Sequence, residues 1–139
     1  MIDRIGHINI RTPNLEETCS FYERLMGLVR DEAYALPDPE RNKWLFTDSG
    51  RAIVHVNMPP EGEEVPPPQP PGRLNHVAFD CRDYDGMVKR LQEMGLDYKR
   101  YETALPGLVL LVTEDPNGII VELSFGTDRA IHRSHPQAV

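Results

Sequence analysis

Apolar and polar residues alternate along several short stretches of the chain, which is the pattern of half-buried β-strands. Near the N-terminus, for example, Ile8 and Ile10 alternate with His7 and Asn9. The alternation, together with β-branched and aromatic residues, predicts eight strands. They are expected at residues 4–10, 29–35, 43–47, 51–58, 73–79, 98–103, 108–112 and 119–125.

Two other stretches place apolar residues at helical spacing. In the first these are Leu15, Cys19, Tyr22 and Met26, and in the second Met87, Leu91 and Met94. Asn14 followed by Glu17 resembles a capping box, and Gly27 is a typical residue at a helix C-terminus. Asp83 and Gly95 delimit the second helix in the same way.

The two halves of the chain repeat one order of elements. Three segments match in sequence with offsets of 69, 68 and 67: residues 5–10 with 74–79, 25–28 with 93–96, and 52–56 with 119–123. A nearly constant shift in the same order indicates an internal duplication. Each half is therefore predicted to be one βαβββ module, and the fold class to be α+β.

The module boundaries follow from composition. Residues 59–72 contain seven of the thirteen prolines and are predicted to form a stiff extended connector; a proline-rich ligand for a partner domain is the alternative. The modules then cover residues 1–58 and 73–126. Residues 127–139 form a polar C-terminal tail, and a turn is strongly specified by Asp115, Pro116, Asn117 and Gly118.

Four of the predicted strands have one apolar face and a potential metal ligand on the other face. The ligands form two repeat-matched pairs: His7 with His76, and His55 with Glu122. Each residue alone is more often a hydrogen-bonded or solvated side chain. Three of the five histidines nevertheless occupy repeat-matched strand positions, whereas His132 and His135 lie in the tail.

Three imidazoles and one carboxylate suit a divalent ion such as Zn²⁺, Fe²⁺, Ni²⁺, Co²⁺ or Mn²⁺. If the halves pack about a pseudo-two-fold axis, the four side chains converge on that axis. Asn9, Asn57 and Ser124 alternate onto the same faces as these ligands and are candidates for a substrate pocket. Trp44 is a further candidate for the pocket, with core packing as the alternative.

Composition excludes several classes of function. A formal charge of −7 without a basic cluster argues against nucleic acid, and no apolar run is long enough to cross a membrane. No secretory signal is visible, so we expect a cytoplasmic protein with reduced Cys19 and Cys81. Neither a nucleophilic serine motif nor a glycine-rich phosphate loop is present in the sequence.

The chain resembles the vicinal oxygen chelate superfamily, which includes glyoxalase I, methylmalonyl-CoA epimerase, extradiol dioxygenases, and fosfomycin and bleomycin resistance proteins. The resemblance extends to about residue 126, and its most specific segments are IGHI at 5–8, NHVAF at 75–79 and DPNGIIVE at 115–122. It implies paired βαβββ modules that curl into a mixed-sheet cup around a metal, with the helices on the outer face. It also implies that the ligands are His7, His55, His76 and Glu122.

The resemblance implies a glyoxalase-like lyase or isomerase that acts on a small carbonyl or thioester substrate. The reaction would pass through a metal-stabilised enediolate, with Glu122 or His55 as the catalytic base. At the position of His55, glyoxalase-like members usually carry Glu and the epimerase carries Gln. Because His55 differs from both residues, we infer neither the glyoxalase activity nor the epimerase activity for this chain.

Two alternatives remain open at the level of sequence. One is an Fe(II)-dependent extradiol-type dioxygenase with His7, His76 and Glu122 as ligands; the tyrosine expected ten residues before the Glu is Val112 here. The other is a resistance-type protein that binds a ligand without catalysis. Family resemblance also implies a homodimer.

Overall fold

The computed structural model describes residues 1–2, 4–31, 38–67 and 71–126. These residues contain two successive βαβββ sets, which confirms the α+β class. The first is β1 (Ile8–Arg11), α1 (Leu15–Met26), β2 (Val29–Asp31), β3 (Asn42–Phe46) and β4 (Ala52–Asn57). The second is β5 (His76–Cys81), α2 (Tyr84–Glu93), β6 (Lys99–Glu102), β7 (Val109–Glu114) and β8 (Ile120–Phe125).

Each set forms a four-stranded mixed sheet with the same topology. The strand orders are β1-β4-β3-β2 and β5-β8-β7-β6. The first and last strand of each set pair in parallel, and the other neighbours pair antiparallel. A parallel pair needs a long crossover connection, and the intervening helix and two strands supply it.

The chain divides into two compact units. Unit 1 is Met1–Pro70 with Asp115–Gly118, and unit 2 is Pro71–Glu114 with Ile119–Val139. The sequence boundaries at residues 58 and 73 do not anticipate that the Asp115–Gly118 turn joins unit 1. No helix or strand lies in the described part of the connector, residues 59–67 and 71–72.

Side-chain hydrogen bonds explain why this turn belongs to unit 1. Thr12 Oγ1 donates to Asn117 Oδ1 at 2.6 Å, and Asn117 Nδ2 donates to Thr18 Oγ1 at 3.0 Å. Tyr22 Oη donates to Asp115 Oδ2 at 3.2 Å. Because Thr12, Thr18, Tyr22 and Asp115 are all buried, these bonds satisfy polar groups that would otherwise be costly in a protein interior.

The core of unit 1 lies between α1 and the apolar face of its sheet. Leu45, Val54 and Val56 on the sheet are fully buried, as are Tyr22 and Leu25 on the helix. This confirms the predicted apolar face of β4 and the helical spacing in α1. Burial of these side chains stabilises the unit by about 1.5–3 kcal/mol for each large apolar residue.

Unit 2 has the equivalent core. Leu111, Val121 and Leu123 on the sheet and Leu91 on α2 are fully buried, and Met87 is nearly so. Val121 and Leu123 confirm the predicted apolar face of β8. The ring of Tyr84 also contacts that of Phe125 edge-on at 5.3 Å, which places the start of α2 on this face.

The helix termini match the predictions with one exception. Asn14 is the N-cap of α1, but its side chain makes no capping hydrogen bond, so the predicted capping box is wrong. Instead the Asn14 N–H donates to Thr12 Oγ1 at 3.0 Å. Asp83 does cap α2 by accepting from the Gly86 N–H at 3.0 Å, and Gly27 ends α1 with φ of 69°.

Two strands begin later than predicted. β1 starts at Ile8 rather than residue 4, and β5 starts at His76 rather than residue 73. In each case the strand begins near the point where its parallel partner does, since Ile8 pairs with Val54 and His76 with Ile120. His7 therefore lies just before β1 and outside the ladder.

Parts of other predictions fall outside the described residues. These are residues 32–35 of the predicted second strand and the whole tail 127–139 with His132 and His135. Within the described ranges, neither helix is long and apolar enough to span a bilayer.

Candidate functional site

The sheet face of unit 1 that is turned away from α1 carries polar and aromatic side chains. Asn9, Trp44 and His55 share this face because Asn9 on β1 and Trp44 on β3 both pair with His55 on β4. Two residues away from the Trp44–His55 pair on the same strands, Asn42 pairs with Asn57. The period-2 geometry of strands thus produces one continuous polar patch over three neighbouring strands.

Three rings form a cluster on this patch. The Trp44 indole stacks on the His55 imidazole with centroids 4.2 Å apart and an interplanar angle of 3°. The His7 ring contacts Trp44 edge-on at 4.7 Å and lies 6.2 Å from the His55 ring. The structure therefore brings the two predicted ligands of unit 1 together, with Trp44 in contact with both rings.

Both ring nitrogens of His55 have hydrogen-bond partners. Nδ1 lies 2.9 Å from Asn9 Nδ2, and Nε2 lies 3.3 Å from Asn42 Oδ1. Burial lowers the pKa of His55 below its ordinary value, and the proximity of His7 lowers it further. The neutral imidazole is the form that this environment favours.

The second pair of predicted metal ligands lies in unit 2. His76 is the first residue of β5, and Glu122 is on the neighbouring strand β8, where it pairs with Ala78. His76 Nε2 lies 3.5 Å from Glu122 Oε2, and the two side chains are 43% and 20% exposed. Both are therefore accessible from solvent, as a ligand-binding pair must be.

Further hydrogen bonds orient this second pair. Asn75 Oδ1 lies 3.0 Å from His76 Nδ1, and Ser124 Oγ donates to Glu122 Oε1 at 3.1 Å. His76 Nδ1 faces the Asn75 amide oxygen and His76 Nε2 faces the Glu122 carboxylate. An imidazole and a carboxylate in this arrangement can form an ion pair with each other or hold a cation between them.

The separation of the two atoms fits a shared metal ion. Nitrogen and oxygen ligands lie about 2.1 Å from Zn²⁺, so two ligands in tetrahedral geometry are about 3.4 Å apart. The observed distance from His76 Nε2 to Glu122 Oε2 is 3.5 Å. Within the described ranges, however, no group of three or more His, Cys, Asp or Glu side chains is placed to hold one ion. The four-residue ligand set stays a prediction.

The predicted pocket residues lie beside these two pairs. Asn9 and Trp44 contact His55, Asn57 Oδ1 accepts from Asn9 Nδ2 at 2.8 Å, and Ser124 contacts Glu122. Trp44 is therefore not part of the helix-side core of unit 1. Whether these four side chains bind a substrate stays a prediction.

Sequence reasoning missed three features of the site. Asn42 and Asn75 each contact a predicted ligand, and a signal for Asn75 was its position directly before His76. A cavity of about 700 Å³ also opens in unit 2, and its lining includes Tyr101, Val112 and Ile120. Val112 pairs with Glu122, and Ile120 pairs with His76, so this cavity adjoins the second pair.

Comparisons with known proteins agree with this architecture. The family model described as the glyoxalase/bleomycin resistance protein/dioxygenase superfamily matches residues 4–123. The chain is 28% identical over 126 residues to glyoxylase I 4 from Arabidopsis thaliana, covering 86% of this chain and 68% of that protein. It is 23% identical over 132 residues to human mitochondrial methylmalonyl-CoA epimerase, covering 88% of this chain and 73% of that protein.

Solved structures with the same fold include the fosfomycin resistance protein FosX from Listeria monocytogenes. The TM-score is 0.67 at 19% identity, over 91% of this chain and 96% of that chain. A glyoxalase/dioxygenase from Nostoc punctiforme gives the same TM-score and identity, over 88% and 90% of the respective chains. At this level of identity the likeness concerns the fold.

Proposed function

The chain belongs to the glyoxalase/bleomycin resistance protein/dioxygenase superfamily, and from that premise we propose that it is a divalent-metal-dependent lyase or isomerase. The substrate is a small carbonyl or thioester compound with an acidic hydrogen next to the carbonyl group. The observation that carries this proposal is the His76–Glu122 pair, with Nε2 and Oε2 3.5 Å apart.

The residues that would hold the metal ion in this proposal are His7, His76 and Glu122. When bound, such an ion polarises a carbonyl oxygen and so acidifies the adjacent C–H group.

In this proposal Glu122 rather than His55 is the proton acceptor, a role for which its carboxylate would have to loosen from the metal ion. The Ser124 hydroxyl orients the Glu122 carboxylate through Oε1, while Oε2 remains on the side of His76. His55 has no unengaged lone pair, because Nδ1 contacts the Asn9 amide and Nε2 contacts Asn42. A base needs a lone pair within reach of the proton it removes, and Glu122 meets that requirement.

Metal content is the direct test. After anaerobic reconstitution with Zn²⁺, Co²⁺, Ni²⁺, Mn²⁺ or Fe²⁺ and desalting, we expect about one ion per chain by elemental analysis. His76→Ala and Glu122→Gln should each lower the affinity by about tenfold or more, because each removes a direct ligand. Glu114→Gln is the matched control, since Glu114 lies on the neighbouring strand β7 and pairs with Ile120. Equal metal content in all variants would refute the site.

Proton exchange tests the reaction class. In D₂O without oxygen, the metal-loaded protein should catalyse deuterium incorporation next to the carbonyl group of 2-oxoaldehyde–thiol adducts or 2-substituted acyl thioesters. The loss of exchange in Glu122→Gln with metal still bound at high metal concentration would identify Glu122 as the base. Ligand binding without metal or turnover would instead support a sequestering protein.

One observation favours a second candidate, an Fe(II)-dependent dioxygenase. If both nitrogens of His55 are engaged within the sheet, the remaining donors are two histidines and one carboxylate, which is the ligand set of many non-haem iron oxygenases. Oxygen consumption with catechols by the iron-loaded protein would support this candidate, whereas anaerobic turnover supports the lyase or isomerase.

A further inference from the structure

The hydrogen bonds around His55 determine which of its ring nitrogens carries the hydrogen. Asn9 Nδ2 faces Nδ1 at 2.9 Å, and Asn42 Oδ1 faces Nε2 at 3.3 Å. A neutral imidazole has one donor nitrogen and one acceptor nitrogen. The assignment therefore depends on which end of each amide group faces the ring.

The orientation of the Asn9 amide is fixed by its other contacts. Asn9 Nδ2 is also 3.2 Å from the backbone carbonyl oxygen of His55 and 2.8 Å from Asn57 Oδ1. A carbonyl oxygen accepts only, so the atom in this position must be the NH₂ nitrogen. His55 Nδ1 faces this NH₂ group at 2.9 Å, where a hydrogen on Nδ1 would oppose the amide hydrogens, so Nδ1 carries no hydrogen.

The orientation of the Asn42 amide is fixed in the same way. Its Nδ2 atom donates to the backbone carbonyl oxygen of Asp38 at 3.1 Å, which leaves Oδ1 directed at His55. Nε2 therefore carries the hydrogen and donates it to Asn42. Stacking on Trp44 at 4.2 Å fixes the plane of the ring and hence the direction of the Nε2–H bond.

The hydrogen of His55 is thus on the opposite ring nitrogen from that of a histidine that binds a metal through Nε2. A histidine that binds a metal through Nε2 has its hydrogen on Nδ1 and donates it to a carbonyl or carboxylate oxygen. His76 has that arrangement, since its Nδ1 faces Asn75 Oδ1 at 3.0 Å. If His55 carried its hydrogen on Nδ1, that N–H group would face the Asn9 NH₂ group, and two hydrogen-bond donors would oppose each other.

We propose that His55 is not a metal ligand but a hydrogen-bond donor that binds an oxygen atom of the substrate through Nε2–H, with Asn9 as the positioning residue. This inference rests on the proposed function. The contact with Asn42 Oδ1 at 3.3 Å is longer than the one with Asn9, so it is the contact that a substrate oxygen replaces.

The ligand chemistry follows from the donor. A fixed N–H group directed at a carbonyl oxygen stabilises the negative charge that develops there when the neighbouring carbon loses its proton. The ligand that fits this donor is therefore a carbonyl compound whose oxygen becomes enolate-like.

Heteronuclear NMR of histidine-labelled protein tests the assignment without a substrate. The two-bond correlations should show His55 with hydrogen on Nε2, both before and after addition of Zn²⁺, with assignment by His55→Gln. Asn42→Ala should keep this pattern because the Asn9 contact remains, whereas Asn9→Asp should move the hydrogen to Nδ1. A His55 signal with hydrogen on Nδ1 in the unaltered protein overturns the proposal, and an unchanged tautomer in Asn9→Asp overturns the role of Asn9.

Metal content separates this proposal from the proposed function. His55→Ala should retain Zn²⁺ affinity within about twofold, while His76→Ala should lose about tenfold or more. Equal losses in both variants would make His55 a ligand and overturn the inference. If the unaltered protein binds no metal, the proposed function fails, but the tautomer measurement still decides the inference. Circular dichroism of every variant confirms that it is folded.

Discussion

At the scale of single residues, the buried contact between Tyr22 and Asp115 contributes to stability. Tyr22 Oη donates to Asp115 Oδ2 at 3.2 Å, and burial followed by the Asp115 carboxylate raises the pKa of Tyr22. Tyr22→Phe keeps the ring and removes this hydrogen bond to a charged group. We expect the free energy of unfolding to fall by about 1.5–3 kcal/mol in urea titrations. A variant as stable as the unaltered protein would show that the bond contributes no net stability.

The two cysteine thiols are predicted to be poorly reactive. Burial raises the pKa of Cys81 from 9.0 to about 11, with Asp80 as the second cause, and burial also raises that of Cys19 to about 11. At pH 8 the thiolate fraction is therefore roughly a hundredfold below that of an ordinary cysteine. Disulfide-exchange labelling should be slow in the folded protein and fast in guanidinium, and Cys81→Ser separates the two sites. Equal rates in the folded and unfolded states would contradict the prediction.

The same shifts predict a loss of stability at alkaline pH. Below pH 9 both thiols are protonated in the folded and unfolded states, so they do not affect the balance between them. Between pH 9 and about 11 the unfolded chain releases these protons while the folded chain retains them, which favours unfolding. Urea midpoints should therefore fall over this range, and a double Cys19→Ala/Cys81→Ala variant should show a smaller decrease.

The sequence predicts the sheet face on which a side chain lies much better than it predicts the hydrogen-bond partners of that side chain. Alternation along β4 and β8 placed His55 and Glu122 opposite the apolar face, because the period of a strand is fixed by its backbone. The Asn42–His55 contact depends on the register between β3 and β4, which the alternation does not specify. The donor polarity of Asn9 depends on a backbone carbonyl of another strand, so no local pattern reveals it.

At the scale of elements, the start of α2 is stabilised by a single side chain. Asp83 accepts from the Gly86 N–H at 3.0 Å while its own backbone has φ of 59°, a conformation that Asn also tolerates. Asp83→Ala should lower the unfolding free energy by about 1–3 kcal/mol, through loss of the cap and strain at positive φ. Asp83→Asn should cost less than about 0.5 kcal/mol, since it keeps both properties.

Asn14 provides the matched control at the start of α1. It occupies the equivalent position but makes no side-chain cap bond, so Asn14→Ala should cost clearly less than Asp83→Ala. A larger loss in Asn14→Ala, measured by thermal or urea unfolding, would show that the helix termini are stabilised by something other than these caps. The cap motif at Asn14 was plausible from sequence, but the nearby Thr12 hydroxyl accepts the Asn14 N–H instead.

Element boundaries show where sequence patterns stop being informative. The β-rich runs at residues 4–10 and 73–79 predicted strands, and both strands exist, but each begins three or four residues later. A strand extends only while a partner offers backbone groups, and β4 begins at Ala52 and β8 at Ile120. The end of the partner strand therefore sets the start of β5, since His76 pairs with Ile120, whereas β1 begins opposite Val54, two residues inside β4.

At the scale of the whole molecule, the duplication was the most informative signal, since it predicted that both halves contain the same order of elements. The assignment of the Asp115–Gly118 turn to unit 1 was not predictable, because Thr12 and Asn117 are 105 residues apart and only tertiary structure brings them together. Local chemistry predicted the turn itself, in which the Gly118 N–H donates to the Asp115 carbonyl at 3.0 Å.

The exposed apolar residues lead to a prediction about assembly. Ile5 and Leu74 are 80% and 84% exposed, and they are equivalent positions of the duplication, 69 residues apart. Exposed large apolar side chains mark an interface where they form part of a contiguous patch, and we predict that these two residues take part in one. We expect a homodimer in solution, with a molar mass of twice 15.8 kDa by light scattering.

Ile5→Glu/Leu74→Glu should raise the dimer dissociation constant at least tenfold, because charge at a buried interface is costly. Val29→Glu is the control, since Val29 is 59% exposed but has no exposed apolar counterpart at the matched position. Equal dissociation constants for the double variant and the control would place the dimer interface elsewhere, and a monomeric unaltered protein would refute the dimer.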